Sequence, residues 1–193
     1  EFVAQLVKYD KKFLIIGNQN SMITKDLFPL FKENKIWLGV TMNGSNRWFR
    51  VPDDYEMTPS MKIENGIKYC FVKSVVWYTN IEHHKRKEKI ILWKKYNAEE
   101  YPFYDNYNAI DISRVEDIPI DFNGVMGVPI TFLHKYNPDQ FEIIWQASGN
   151  TRACCPTSIL ESLKYQSHPE DRGGCGVVRG QRVYSRILIR KKQ

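Results

Sequence analysis

A polar run, Asn18-Gln19-Asn20, follows directly on an apolar segment that ends at Gly17. In open α/β sheets ligands gather at the carboxyl ends of the strands, so a polar run in this place predicts a ligand pocket. The alternative is an ordinary polar turn between a strand and a helix. The residues alone leave the two interpretations about even.

A predicted Gly/Asn-rich loop, residues 41–56 with the sequence TMNGSNRWFRVPDDYE, places two adjacent aromatic residues between two arginines. Arginine beside an exposed aromatic ring is the combination that stacks on nucleic-acid bases, at about 1–3 kcal/mol per stacked base. This indicates base contact by Trp48 and Phe49 and phosphate or base contact by Arg47 and Arg50. For any single ring, a place in the hydrophobic core is the more frequent outcome.

Further cations lie in a charge run, EHHKRKEK, and in the ending VVRGQRVYSRILIRKK, which predicts a basic hairpin. Charge runs are usually solvated loops, and phosphate contact by Lys85 and Arg86 is the minority interpretation. The chain has 28 Lys and Arg against 22 Asp and Glu, a net charge of +6. This balance favours an anionic partner, with nucleic acid first, over a merely soluble basic protein.

The motifs of autonomous enzymes are absent from the sequence. It contains no nucleophile motif, phosphate-binding loop or dinucleotide fingerprint. The 4 cysteines lack the paired spacing of a zinc site, so reduced thiols are favoured and no metal is predicted. The apolar runs are too short to cross a membrane, and no signal peptide opens the chain, so we predict a cytoplasmic protein. A start without Met inside an apolar-periodic segment indicates an excised fragment.

The first half of the chain alternates helical and strand patterns. Lys12–Asn18 predicts a parallel strand buried on both faces, and Ile36–Val40 predicts a second buried strand. A helix over Thr24–Asn34, with Thr24 as its N-cap, is expected between them. Ile67–Ile81 predicts a long strand with a bulge or bend, and Ile90–Trp93 a further strand. Together these form half of an open α/β sheet with parallel neighbours.

The second half is richer in turns. Between Tyr104 and Ile144, turn signals separate the apolar segments AIDI, VPITFL and FEII, which predict short strands. Residues 147–176 predict a loop with one short helix at Thr157–Lys164. The fold class is therefore α/β, followed by a mostly β, loop-rich region that ends in the basic hairpin.

Several of these segments carry a family resemblance. IPIDFNGVMGVPITFL followed by KYNPDQFEI is the most specific, and KKFLIIGNQN, KIWLGV, VVWYTNI and VYSRILIR occur in the same order. Over nearly its whole length the chain resembles the EcoRI-type adenine-specific DNA methyltransferase family. The resemblance implies methyl transfer from S-adenosylmethionine to N6 of adenine in double-stranded DNA, either as protection against a partner restriction endonuclease or as an orphan methylase.

The resemblance also implies that the chemistry lies outside this chain. The family's catalytic Asn-Pro-Pro-Phe motif would immediately precede a segment similar to EFVAQLVKYDKKFLIIGN, upstream of Glu1, and the cofactor-binding strands lie further upstream. We therefore expect no catalytic residue here and no binding of S-adenosylmethionine by the chain alone.

On this basis residues 1–93 are expected to be the second half of a Rossmann-like methyltransferase sheet, and residues 94–193 a target-recognition region with the C-terminal hairpin. The candidates for the base pocket are Asn18, Asn20, Trp48, Phe49, Tyr78 and Asn80. The candidates for DNA contact are Arg47, Arg50, Lys85, Arg86, Arg152, Arg179, Arg182 and Arg186. Two alternatives remain open: a free-standing DNA-binding module without catalysis, and a basic α/β domain that binds protein.

Overall fold

Two larger β-sheets, a two-stranded hairpin and short helices make up the chain in a computed structural model that describes residues 2–41 and 44–192. Met42 and Asn43, in the segment predicted as a Gly/Asn-rich loop, lie outside the described residues, as does Glu1. The helices are α1 (Phe2–Lys8), α2 (Phe28–Lys32), α3 (Thr151–Cys154) and α4 (Thr157–Ser162). The strands are β1 (Leu14–Asn18), β2 (Trp37–Leu38), β3 (Ser45–Arg50), β4 (Met61–Glu64), β5 (Ile67–Thr79), β6 (Ala109–Asp111), β7 (Val125–Pro129), β8 (Phe141–Ala147), β9 (Val177–Val178), β10 (Gln181–Arg182) and β11 (Arg186–Lys191).

The long strand β5 is the centre of the first sheet. β1, β2, β3 and β4 all pair with β5, each in antiparallel register. β1 and β2 lie on opposite sides of its end, since Leu14 and Trp37 both pair with Thr79. The two strands are thus parallel to each other but not adjacent. The prediction of parallel neighbours was wrong, because an antiparallel strand lies between them.

Other local predictions also need correction. β1 is not buried on both faces, because Leu14 and Ile16 remain 56% and 44% exposed. The helix α2 is shorter than predicted. Thr24 is not its N-cap but ends the preceding 3-10 helix, where its hydroxyl donates to the Ser21 carbonyl at 2.8 Å. The second buried strand is reduced to Trp37–Leu38.

β3, β4 and the first part of β5 form a β-arm (residues 45–73) whose residues belong to neither hydrophobic cluster of the protein. Ser45–Arg50 was predicted as loop and is a strand, so that prediction was wrong. The predicted bulge in β5 is confirmed, since Ser45 pairs with Val75 and Arg47 with Val72, and the register shifts between them. The β-arm therefore projects from the core and bends at the bulge.

The second sheet has the order β6-β7-β11-β8, with β6 parallel to β7 and the other pairs antiparallel. β11 lies in its middle and buries Ile187, Leu188 and Ile189 completely. The predicted basic hairpin therefore exists only as β9 and β10, which turn at Arg179 and Gly180, both with positive φ as a two-residue hairpin turn requires. The prediction that β11 continues it was wrong.

The strands predicted at AIDI and FEII and the helix predicted at Thr157–Lys164 are confirmed by β6, β8 and α4. In VPITFL only Val128 and Pro129 belong to a strand, β7, and the rest lies in a 3-10 helix, so that prediction was wrong for most of its length. The short helix α3 lies in a segment that was predicted as loop. Ile90–Trp93 is not a strand, so that prediction was wrong. There the side-chain amide of Gln140 takes the place of a neighbouring strand: its Oε1 accepts from the Ile90 N–H at 2.8 Å and its Nε2 donates to the Ile90 carbonyl at 2.7 Å.

Both sheets pack on one hydrophobic core. The larger cluster of buried side chains takes members from β5 and α2 as well as from β7, β8 and β11. Phe28 and Trp145 join the two halves edge to face, with ring centroids 5.4 Å apart. Among the described residues no helix is long and apolar enough to span a membrane.

Candidate functional site

The bulge in β5 brings the end of β1 and the start of β3 together. Asn18 and Ser45 both pair with Val75 from opposite sides of β5, so their backbones are about 10 Å apart, two strand spacings. Asn18 Nδ2 donates to the Lys73 carbonyl at 3.4 Å, and Asn46 Oδ1 accepts from the Ser74 N–H at 3.2 Å. Amide side chains thus contact the bulge from both sides. β-Bulges are common beside functional sites because they re-aim side chains.

Polar groups accumulate around this point. Asn18 Oδ1 accepts from the Asn20 N–H at 2.9 Å, and Asn20 is exposed. Gly44 packs so closely on Gln19 that a Cβ on it would lie 1.7 Å from Gln19 Oε1, and its φ of +72° also favours glycine. We name Asn18, Gln19, Asn20, Gly44 and Asn46 the strand-end cluster. Its members offer uncharged donors and acceptors, which suit a neutral polar ligand.

Sequence reasoning singled out the polar run Asn18-Gln19-Asn20 and missed Gly44 and Asn46. The signal that could have found Gly44 and Asn46 is the Gly-x-Asn spacing at the start of a segment already singled out for its composition. What the sequence does not reveal is that the two segments meet at the bulge.

Tyr78 supports the strand-end cluster from inside the protein, whereas Asn80 lies at the opposite end of β1. Tyr78 is 2% exposed, and its hydroxyl donates to the Asn18 carbonyl at 2.7 Å. Burial raises the pKa of Tyr78 well above its ordinary value, so the hydroxyl keeps the proton that it donates. Asn80 accepts from the Phe13 N–H at 3.0 Å and donates to the Lys11 carbonyl at 2.9 Å, which fixes the start of β1.

The aromatic residues of the β-arm lie on different faces. Trp48 is 45% exposed and packs on Phe71, with ring centroids 4.9 Å apart. The Lys62 ammonium lies 4.7 Å from the centre of the Trp48 ring. Phe49 pairs with Cys70 and points to the other face of the arm. Trp48, three residues along β3 from Ser45, is therefore about 10 Å from the strand-end cluster.

The predicted DNA-contacting side chains fall into two groups. Arg50, Arg179 and Arg182 are exposed and form no side-chain hydrogen bond or ion pair within the described ranges, and Arg47 is exposed and bonds only to the adjacent Asn46 carbonyl. They are free to contact an anion. Sequence reasoning missed Arg172, which belongs with them and is exposed without a side-chain partner among the described residues.

The second group is engaged within the protein. Arg86 is 8% exposed, binds Glu82 and Asn34, and lies 3.5 Å from the centre of the Trp37 ring. The remaining three also have internal partners: Lys85 donates to the Val40 carbonyl at 2.8 Å, Arg152 lies 3.4 Å from Asp171, and Arg186 lies 3.0 Å from Asp111. Contact of these four residues with DNA stays a prediction. Arg86 and Arg186 are held inside the protein by their partners.

A cavity of about 510 Å³ adjoins the strand-end cluster. His134 lines it and also contacts the cluster, with its Nε2 3.4 Å from Gln19 Oε1. Lys85, Lys89 and Lys135 lie along its wall, opposed by Glu88 and Glu116. The lining is thus mixed in charge with an excess of lysine.

His134 makes the stability of the protein depend on pH. Burial lowers the pKa of His134 from 6.5 to about 4. The unfolded chain then binds a proton that the folded chain does not, so this contribution is complete above pH 6.5 and is lost as the pH falls toward 4. We expect about 1–2 kcal/mol less stability at pH 5 than at pH 7.5, allowing for partial exposure. Urea unfolding at both pH values measures this difference in stability. A His134→Gln variant that keeps the full difference would show that His134 is not its cause.

Among residues 2–41 and 44–192, no three His, Cys, Asp or Glu side chains form a group that could hold a metal ion. All the cysteines have free thiols. The described part of the chain therefore offers hydrogen-bonding amides, exposed aromatic rings and free arginines as its functional chemistry.

Comparison with known proteins gives these features a family context. A model of the family "Adenine-specific methyltransferase EcoRI" matches residues 1–192. The Type II methyltransferase M.EcoRI of Escherichia coli is 50% identical over 148 residues, which cover 75% of this chain and 45% of that protein. The Type II methyltransferase M.MgeORF184P of Mycoplasma genitalium is 33% identical over 199 residues, 100% of this chain and 61% of the relative.

M.MpnI of Mycoplasma pneumoniae, also a Type II methyltransferase, is 32% identical over 200 residues, 100% of this chain and 60% of the relative. This chain thus spans about half to three fifths of the length of the relatives it matches. No solved structure shows significant similarity to it. The match of the family model over nearly every residue confirms the resemblance seen in the sequence: the chain belongs to the EcoRI family of adenine-specific methyltransferases.

Proposed function

We propose that this chain is the carboxyl-terminal part of an S-adenosylmethionine-dependent, site-specific DNA methyltransferase that acts on N6 of adenine. Its own contributions are DNA recognition and part of the pocket for the target base. The observation that carries the proposal is the strand-end cluster, a neutral amide-lined site beside exposed Trp48, in a member of this family. The partner is double-stranded DNA, and no direct contact with a restriction endonuclease is implied.

The first sheet supports the proposal that the chain is one half of a larger Rossmann-like sheet. β1 and β2 are parallel on either side of β5, and within the described residues β1 pairs with β5 alone. Leu14 and Ile16 on β1 are exposed, and an open strand edge with apolar side chains is a template for another strand. We propose that the upstream part of the protein pairs there and carries the Asn-Pro-Pro-Phe motif expected before Glu1.

The cofactor is assigned to that upstream part. A nucleoside ribose at the end of a strand is commonly bound by a carboxylate. The described members of the strand-end cluster are amides and a glycine, so they do not fit S-adenosylmethionine. The chain alone is therefore expected to give no heat of binding when titrated with the cofactor.

The base pocket follows from the same geometry. Enzymes that modify a base in duplex DNA rotate it out of the stack and bind its edge and its faces. Asparagine and glutamine side chains match the donor and acceptor pattern of adenine, and an amide keeps the pocket neutral. In our proposal Asn18, Asn20 and Asn46 line the pocket and Trp48 contacts the base or its neighbour. Tyr78 lies in the layer behind, and Asn80 holds the opposite end of β1.

A single substitution tests the aromatic contact. Trp48→Ala is expected to weaken binding of duplex DNA about tenfold, because one stacked base contributes about 1–3 kcal/mol. Trp48→Phe should retain most of the affinity. Ile63→Ala is the matched control, since Ile63 is 58% exposed on the opposite face of the same arm and pairs with Lys68. Fluorescence anisotropy at fixed salt measures all three, and equal losses in Trp48→Ala and Ile63→Ala would refute the role of Trp48.

The alternative is a DNA-binding module without catalysis. It is favoured by the strand-end cluster itself, which has no carboxylate, and by the low pKa of His134, which makes it a weak base. Both alternatives predict salt-dependent DNA binding. They differ in whether the protein that includes the upstream segment methylates adenine.

A further inference from the structure

The loop after α4 and the β9–β10 hairpin form a cleft on the second half of the molecule, far along the chain from the strand-end cluster. Its volume is about 450 Å³, and Arg172 and Arg182 line it together with Gly149, Tyr184 and Ser185. Of these, only Arg182 was singled out by its sequence context. The cleft unites residues from three separate segments of the chain.

Buried contacts fix the loop that carries Arg172. Asp171 is 0% exposed, and its carboxylate accepts from the Tyr165 hydroxyl, from the His168 N–H at 3.1 Å and from the Gly173 N–H at 3.0 Å. The Arg152 N–H donates to the Gly173 carbonyl at 2.9 Å. The backbone therefore leaves Arg172 little freedom of position.

The hairpin that carries Arg182 is fixed as well. Asn106 is 1% exposed, donates to the Cys175 carbonyl at 2.9 Å and accepts from the Val177 N–H at 3.0 Å. Asp105 accepts from the Gly180 N–H at 2.7 Å and so holds the turn of the hairpin. Both arginines thus project from anchored backbone, which lowers the entropy lost when a ligand binds.

The charge of the cleft is positive and unbalanced. Arg172 and Arg182 form no side-chain hydrogen bond or ion pair with a described residue, whereas the carboxylate behind them, Asp171, is paired with Arg152 at 3.4 Å. Burial raises the pKa of the Cys175 thiol between the two arginines, so the thiol adds no negative charge near neutral pH. Tyr184, 89% exposed, stands at the mouth of the cleft.

We propose that Arg172 and Arg182 together bind a phosphate group of the DNA backbone, with the Ser185 hydroxyl as a further donor and the Tyr184 ring against the adjoining sugar. Guanidinium groups suit phosphate oxygens because they donate paired hydrogen bonds in a fixed plane. This assignment rests on the proposed DNA-binding function. It adds a second anchoring point for the duplex on the second half of the molecule.

The test is a salt titration of duplex DNA binding with three forms of the 193-residue chain. The unmodified chain should bind with an affinity that falls as salt rises. Arg172→Ala/Arg182→Ala should lower the magnitude of the slope of log affinity against log salt by about 1, because the one phosphate contact that is lost contributes about 0.9. Arg114→Ala/Arg190→Ala removes the same charge from exposed arginines that do not line the cleft, and should leave most of the slope.

Thermal unfolding of each form checks that the fold is intact, and surface changes of this kind are expected to alter stability by less than about 0.5 kcal/mol. An unchanged slope in Arg172→Ala/Arg182→Ala, or an equal loss in both double variants, would overturn the phosphate site while leaving DNA binding in place. Failure of the unmodified chain to bind DNA would instead overturn the proposed function and the assignment that rests on it.

Discussion

Arg186→Ala is expected to lower the free energy of unfolding by about 3–5 kcal/mol. The Arg186 Nε lies 3.0 Å from Asp111 Oδ1, and the two side chains are only 12% and 10% exposed. The Tyr104 hydroxyl donates to the same carboxylate at 2.6 Å. Removing the guanidinium leaves a buried carboxylate without its countercharge, which is far more costly than losing a surface ion pair.

Urea unfolding at pH 7.5 measures this loss, and Arg182→Ala on the neighbouring hairpin is the matched control. Arg182 is exposed and unpaired among the described residues, so its removal should change stability by less than about 0.5 kcal/mol. Adding Asp111→Asn to Arg186→Ala should restore part of the loss, because the orphaned charge is then gone. A loss below 1 kcal/mol in Arg186→Ala would show that Arg186 is available for DNA after all.

Gly173→Ala is expected to lower the free energy of unfolding by about 2–4 kcal/mol for two separate reasons. The φ of Gly173 is +103°, a conformation in which a side chain is strained. A Cβ there would also lie 2.2 Å from the Gly149 carbonyl oxygen, and because that atom belongs to the backbone the overlap cannot be relieved by a side-chain rotation. The loop that positions Arg172 would have to move.

Gly180→Ala separates the cost of backbone strain from the cost of steric overlap. Its φ is +74°, but nothing lies within 4 Å of the added Cβ, so only the backbone strain of about 1–2 kcal/mol remains. Thermal and urea unfolding of both variants give the comparison. If Gly173→Ala costs no more than Gly180→Ala, the close contact between the loop and Gly149 is not present in solution.

Local patterns predicted the elements whose partners are near in sequence or whose pattern is unambiguous. The long strand β5 with its bulge, the strands β6 and β8 and the helix α4 all follow from apolar periodicity and turn residues. β1 shows the limit of this reasoning. Its unbroken apolar run is typical of a strand buried on both faces, yet Leu14 and Ile16 are exposed in this chain. The pattern indicates burial but not which segment supplies the cover.

Long-range contacts account for what sequence reasoning missed. The ending of the chain was predicted as a basic hairpin, but within β11 Ile187 and Ile189 join one hydrophobic cluster while Leu188 joins the other. Both faces of the strand are therefore covered, each by one of the two clusters. Arg186 donates to Asp111, 75 residues earlier in the chain, because β11 and β6 lie in one sheet on either side of β7. Such partners become visible only when the sheet order is known.

The candidate site was predicted in its parts and not as an assembly. Asn18, Asn20 and Trp48 were recognised from the residues around them, each in a segment of the expected composition. Their convergence depends on β5, which pairs with both segments and bends at Ser74. For the same reason Arg172 was missed, because its loop is polar and aperiodic and only the folded chain places it beside Arg182.

Transfer of tritiated methyl groups from S-adenosylmethionine to duplex DNA distinguishes the proposed contribution of this chain from that of the part upstream. We expect no transfer by the 193-residue chain alone. Under the proposed function, we expect incorporation at N6 of adenine when the chain is joined to the upstream part that is proposed to carry the catalytic motif. Methyl transfer by the chain alone would contradict the division of labour between the two parts. A contiguous protein that binds DNA and the cofactor but leaves adenine unmethylated would contradict the proposed function.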